Sequence, residues 1–474
     1  MQQVKGTFLI KGITSLIFSM VFALNLMTAG STAAPLFVNS STDSIADFTS
    51  IQDAINAANP GDEIIVQPGT YVENIKVTKN VTIHAESDNP SDTILQAANN
   101  SEDTCSILSN DVTLRSFSIR GSTLAGIHSF GATDCHIENN RISNNTCGID
   151  LCLLSSGNRL DNNEISGSVT GISLGDSWYN ILSNNKISNC ESGISLFDSP
   201  NNELEKNLLF SNIDGISLIG ESNGNNLTNN TINSNKKSGL YIYGTSNNAI
   251  YNNYFNNYLN VQSEQQMFDA NSWNITPSQG ANIVGGPYFG GNFWTKPDGT
   301  VYPEGAEDSN LDGIYDVHYN IEGSGLIDPL PLKKLKPALI TVGNSVPENN
   351  LTQNSDFTFI QDAVNSAFPG DTILVSPGIY RENINIYITN LTVVSESENP
   401  EDTIIQAANS SDDIFYIGAD GVKVSGFNLV GPIKLPNSEI YLNKVKDCQI
   451  ENNWLFANNS SSESGFGIRA DLSD

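Results

Sequence analysis

The chain has 474 residues, with 52 Asp and Glu against 22 Lys and Arg and a formal net charge of −30. Such a charge repels nucleic acid and anionic membrane surfaces, which removes both as partners. The sequence also holds 62 Asn, 54 Ser and 38 Gly, more turn-forming residues than an all-α fold tolerates.

Lys5 and Lys11 precede an apolar stretch from Ile13 to Met27, and small residues follow from Ala29 to Ala34. This pattern predicts a secretory signal peptide over residues 1–33, with an uncleaved N-terminal anchor as the alternative. No later run has 18 consecutive apolar residues, so no further span is expected. The expected address is extracellular, at the cell surface. Six cysteines without a CxxC pair read as small buried residues, with one disulfide among them at most.

Ile51, Ala54, Ile55 and Ala58 recur at helical spacing, which predicts a short amphipathic helix over Phe48–Ala58, ended by Pro60-Gly61-Asp62. Strands are expected at Ile64–Val66 and Ile75–Val77. A helix there would cover the open edge of whatever sheet follows.

From Gly126 the sequence restarts at Gly148, Gly171, Gly193, Gly215 and Gly239, in steps of 22, 23, 22, 22 and 24 residues. Inside each unit an apolar residue stands three before an Asn and another two after it: Ile137/Asn140/Ile142, Leu160/Asn163/Ile165, Leu182/Asn185/Ile187, Leu204/Asn207/Leu209, Leu227/Asn230/Ile232 and Ile250/Asn253/Phe255. A unit of this length holds two or three short strands and cannot bury its own inner face. Stacked about 4.8 Å apart, such units form the coils of a parallel β-helix. The inner column is predicted as Ile127, Ile149, Ile172, Ile194, Ile216 and Leu240. The Asn column is expected to take the positive-φ bends and to link its amides along the axis.

Phe48–Gly121 recurs at Phe357–Gly431. The expected organisation is therefore a module over 34–336, with its clearest coils at 126–260 and a closing block at 285–332, and the start of a second module over 337–474. The second repeats the opening but reaches a single coil motif, Ile450/Asn453/Leu455, so the expectation is a longer natural chain, a partner for its last coil, or a module that folds poorly.

These Gly-Ile…Asn-Asn coils resemble the right-handed parallel β-helix repeats of the pectin-lyase-like superfamily, and most closely the NosD-like group common in archaeal cell-surface proteins. Gly290-Gly-Asn-Phe-Trp294, Asp308–Asp316 and Asp328-Pro-Leu-Pro-Leu332 are similar to the closing block of those modules. The resemblance implies an all-β solenoid with an N-terminal capping helix, duplicated. It carries over no catalytic residue. The opening FxxIQxA…PGD…PG.Y.ENI looks like the start of pectin methylesterases, but their downstream signatures find no match, and neither do those of polygalacturonases or alginate epimerases. Four scattered histidines (His84, His128, His136 and His318) and Met267 offer few soft ligands for copper.

Three constellations remain. Asp308, Asn310, Asp312 and Asp316 form D-x-N-x-D-G-x-x-D, whose alternating oxygen ligands suit calcium, with an acidic surface loop as the alternative. Asp176 and Asp198 fall at the same place in adjacent coils, as a carboxylate pair for glycoside hydrolysis would, although the Ser after each is ordinary turn chemistry. Tyr241 and Tyr243 are expected to point outward as a carbohydrate platform, with the neighbouring rings as an end plug the competing reading. The leading expectation is a cell-surface β-helix with a structural, adhesive or glycan-binding role, more readily a non-enzyme than an enzyme. A polysaccharide lyase or hydrolase comes second, and a NosD-like periplasmic copper-maturation factor third.

Overall fold

The computed structural model describes residues 35–40, 46–264, 271–297, 299–322, 324–334, 339–343, 355–431, 437–457 and 466–471. The expected signal peptide and Met267 lie outside them. No described helix is long and apolar enough to cross a membrane.

The repeat folds as a right-handed parallel β-helix, the hand that crossovers between parallel strands almost always take. Each coil contributes one strand to each of three sheets, so the unit holds three strands rather than two. The first sheet has 10 strands, from Leu36–Val38 to Ala249–Tyr251. The second has 11, from Gly69–Val72 to Val301–Tyr302, and the third has 9, from Ile75–Val77 to Val261–Ser263. Ile127, Ile149, Ile172, Ile194, Ile216 and Leu240 stand in direct register in the third sheet, all fully buried. The apolar members of each triplet form matching columns in the other two sheets. Burying each such side chain contributes about 1.5–3 kcal/mol, and no single coil could capture that alone.

The Gly that opens each unit has a steric cause. A Cβ on Gly148, Gly171, Gly193 or Gly215 would stand 2.5 Å from the carbonyl oxygen of the Gly in the next coil. Only a residue without a side chain lets the backbones approach so closely.

The predicted Asn column is present, and its two expected roles are divided between neighbouring residues. The positive φ belongs to the residue before it: Asn139 (51°), Asn162 (53°), Asn184 (55°), Lys206 (56°), Asn229 (58°) and Asn252 (55°). The ladder residues Asn140, Asn163, Asn185, Asn207, Asn230, Asn253 and Asn292 are buried, and each Nδ2 donates to the next Oδ1 at 3.0–3.1 Å. The correction is physical. The bend needs a residue tolerant of left-handed backbone, whereas satisfying buried amides needs a side chain pointing inward. A second ladder runs through Asn158, Asn180, Asn202, Asn225, Asn248 and Asn271, and a third through Asn212, Asn235, Asn257 and Asn260. One amide column thus stands at each corner.

Helix α1 spans Ile51–Ala57, shorter than the predicted Phe48–Ala58, because Ser50 caps it by accepting from the Asp53 amide at 3.2 Å. Its Ile51, Ala54 and Ile55 close the end of the core. Glu73 reaches over from the next coil and accepts from the Ile51 and Gln52 amides at 3.0 and 2.9 Å. In the second stack α2 spans Ile360–Ser366, and Glu382 makes the same pair of bonds at 2.9 and 2.8 Å. The Glu of the duplicated Y.ENI motif is therefore a helix cap.

The second stack holds sheets of 5, 4 and 4 strands, from Leu339–Val342 to Phe466–Asp471. It packs beside the first. Phe368 meets Tyr254 edge-on at 4.9 Å, Tyr387 meets Phe210 at 5.0 Å, and Lys334 pairs with the buried Asp371.

Candidate functional site

The closing block is a lock. Asp328 is fully buried, and its Oδ2 accepts from the Asn292 amide at 2.7 Å and from Trp294 Nε1 at 2.8 Å, while Oδ1 accepts from the Leu330 amide at 3.0 Å. Burial pushes its carboxyl up to about 6, only partly offset by those donors. A Cβ on Gly291 would collide with Asp328 Oδ1, so the Gly admits the carboxylate. Trp294 stacks on Phe255 at 4.6 Å and 9°, with the buried Trp273 and Tyr319 at 5.9 and 5.3 Å from it. These rings plug the stack.

Of the predicted carbohydrate pair, Tyr243 is half exposed, while Tyr241 is partly covered, with Lys237 Nζ 5.1 Å from its ring centre. Both belong to a longer pattern on the outer face of the third sheet. Register aligns His128, Asp150, Ser173, Ser195, Ser217 and Tyr241 in one row. Beside it run Phe130, Cys152, Gly175, Phe197, Ile219 and Tyr243. Phe130, Phe197 and Tyr243 are each about half exposed. At about 4.8 Å per coil the two rows extend for roughly 24 Å, one mostly polar and one mostly apolar.

Asp176 and Asp198 follow the second row on adjacent coils, in left-handed backbone at φ 50° and 48°. Gly131 and Gly220 take the same corner in other coils, so the position answers to backbone conformation. Asp198 Oδ1 accepts from the Glu221 amide at 2.8 Å, which ties it to the following coil. Ser177 and Ser199 are buried, and the Ser199 hydroxyl accepts from the Ser177 amide at 3.1 Å. Arg141 and Lys186 flank Glu164 at 3.7 and 3.1 Å.

In the acidic loop, Asp308 accepts from the amides of Asp312 and Gly313, both at 3.1 Å. Asn310 Oδ1 accepts from the Asp312 amide at 3.2 Å, and Asp312 Oδ1 from the Ile314 amide at 2.9 Å. Asp316 binds the Ser309 amide and hydroxyl, which hold its carboxyl below the usual range. The loop is built from Asx turns.

All six cysteines are free, so the one disulfide allowed for is not formed. The histidines are less scattered than the sequence suggests. His128 and Cys152, 24 residues apart, meet diagonally across adjacent strands, with His128 Nε2 3.2 Å from Cys152 Sγ and 3.9 Å from Asp150 Oδ2. His128 Nδ1 stands 2.8 Å from Asp103 Oδ2. The signal was available: a step of 22 from His128 is Asp150, with Cys152 two residues on. A second group joins His136, Glu138 and Asp161.

A family model described as "Periplasmic copper-binding protein (NosD)" matches residues 55–236 and 214–299, together just over half the chain. A cell surface glycoprotein of Methanothermus fervidus is 37% identical over 99 residues, which span 20% of this chain and 16% of that protein. Among solved structures, pectate lyase Pel9A is 15% identical with a TM-score of 0.41, over 52% of this chain and 82% of its own. The A-module of the Azotobacter vinelandii mannuronan C-5 epimerase AlgE6 is 12% identical with a TM-score of 0.42, over 90% and 95%.

Proposed function

This chain belongs to the NosD family, and from that premise we propose that it is an exported β-helix of the cell envelope that holds carbohydrate along its third sheet. One observation carries the reading: the paired rows, polar and apolar, that include Tyr241 and Tyr243. Aromatic faces pack against sugar C–H bonds while adjacent hydroxyls and amides take the sugar hydroxyls. A cell-surface address is favoured by the likeness to the glycoprotein and by the N-terminal sequence.

A glycan array with the whole chain tests this. Retention on a polysaccharide that falls at least tenfold in Tyr241→Ala/Tyr243→Ala, with melting unchanged, supports it; retention indifferent to both rings and to Phe197→Ala refutes it. Reducing-sugar and unsaturated-product assays address the lyase or hydrolase alternative. Turnover abolished by Asp176→Asn/Asp198→Asn would overturn the binding role in favour of catalysis. In the same reading, calcium at Asp308, Asn310, Asp312 and Asp316 stiffens the exit from the first stack. Calorimetric heat and a raised melting temperature with Ca²⁺ support that assignment, and the absence of both removes it.

A further inference from the structure

We propose that His128, Asp150 and Cys152 form a zinc site bridging two adjacent coils, with Asp103 as the carboxylate that orients the imidazole. The site needs no carbohydrate, and it occupies the opposite end of the same two rows from Tyr241 and Tyr243. Three kinds of donor converge: imidazole Nε2, thiol Sγ and carboxylate Oδ2, all within 4.8 Å of one another. Tetrahedral bonds of about 2.0–2.3 Å set donor–donor separations of roughly 3.3–3.7 Å. The observed 3.2 Å (Nε2–Sγ) and 3.9 Å (Nε2–Oδ2) bracket that range. Small side-chain rotations suffice, because all three groups lie on the outer face and are only partly covered.

The independent observation is on the far side of the ring. A zinc-binding imidazole donates its other N–H to a carboxylate or carbonyl, which fixes the tautomer and raises ligand basicity. Asp103 occupies that place at 2.8 Å from Nδ1, and its other oxygen is anchored by the Ala125 amide at 3.1 Å. This leaves the Nε2 lone pair directed at Cys152 and Asp150. A fourth position faces solvent, free for water or an exogenous ligand.

Thiol, imidazole and carboxylate in line could instead be a nucleophilic triad, and the backbone decides against it. The amides that follow Cys152 are engaged, Leu153 to the Gly175 carbonyl and Leu154 to that of Asp176, so neither is free to stabilise an oxyanion. The metal follows from the donors. One imidazole, one thiolate and one hard carboxylate suit Zn²⁺ better than Cu⁺, which seeks sulfur throughout. The group at His136 is the weaker candidate, because Arg159 already places a guanidinium 3.7 Å from Asp161.

The test is titration of the reduced, chelator-stripped whole chain with Zn²⁺ by calorimetry and with Co²⁺ by absorption. Expected are one strong site, a four-coordinate Co²⁺ spectrum with a sulfur-to-metal band, and proton release that makes affinity rise with pH. Cys152→Ser abolishes the sulfur band, and Cys152→Ser and His128→Ala each weaken Zn²⁺ at least 100-fold. Asp103→Asn, which touches no metal, weakens it about 10–100-fold. Far-UV circular dichroism and melting of the metal-free variants check that the fold is retained. Absence of strong binding, a six-coordinate spectrum without the sulfur band, or Zn²⁺ affinity unchanged in Cys152→Ser overturns the proposal.

Discussion

Asn184 and Asn185 are adjacent and identical in type, yet the structure gives them unrelated work, which makes their substitution a sharp test. Asn185 is fully buried. Its Oδ1 accepts from the Asn163 amide and from Asn163 Nδ2, both at 3.1 Å, and its Nδ2 donates to the Leu160 carbonyl at 2.9 Å and to Asn207 Oδ1 at 3.0 Å. Asn185→Ala strands two buried donors on Asn163 and removes a partner from the Leu160 carbonyl. At about 1–3 kcal/mol for each of the two stranded donors, the expected loss is about 2–6 kcal/mol. Asn184 is exposed at φ 55°, so Asn184→Ala costs about 1 kcal/mol of backbone strain, and Asn184→Gly costs little or nothing. Urea unfolding followed by circular dichroism gives the ranking, and hydrogen exchange at the Asn163 amide localises it. If Asn184→Ala proved the more damaging of the two, or Asn185→Ala cost under about 1 kcal/mol, the division of roles would be wrong.

Asp328 adds a pH dependence. Its folded value of about 6 lies above the unfolded value of about 3.9, so its contribution is fully present below pH 4 and lost as pH rises through 6, about 3 kcal/mol in all. The pH dependence of the urea midpoint should flatten over that window in Asp328→Asn. Gly291→Ala forces the backbone off Asp328 and should destabilise by about 3 kcal/mol in thermal melts, whereas Gly175→Ala, with open space around its Cβ, should be neutral within about 0.5 kcal/mol. Glu73→Ala leaves the first two amides of α1 without their acceptor and should cost about 1–3 kcal/mol, with faster exchange confined to the helix and the first coil.

The fold was legible because a solenoid writes its packing into the spacing of one chain. Every predicted inner-column residue, Ile127 through Leu240, lands in register. Two of the three amide columns went unread, although Asn158, Asn180, Asn202, Asn225 and Asn248 each stand two before a core Leu or Ile. The exchange of roles within the Asn-Asn pairs was invisible, since dihedral angle and burial leave identical letters. His128 with Cys152 was missed because their contact is diagonal: a count along the chain separates residues that the coil step brings together. Asp328 stood out only as part of the closing block, and its buried role was not legible. A single carboxylate recruited by a plug has no period.

The first amide column passes from Asn253 to Asn292 without a break, although 39 residues separate them, where neighbouring rungs are 22 or 23 apart. The rod therefore counts position by geometry rather than by chain length, and a detour that leaves a corner and comes back in line is invisible to its spine. Such an architecture accepts grafts: new loops of almost any size can be spliced outboard while the spine keeps its alignment, so the surface is free to diversify at little risk to the fold.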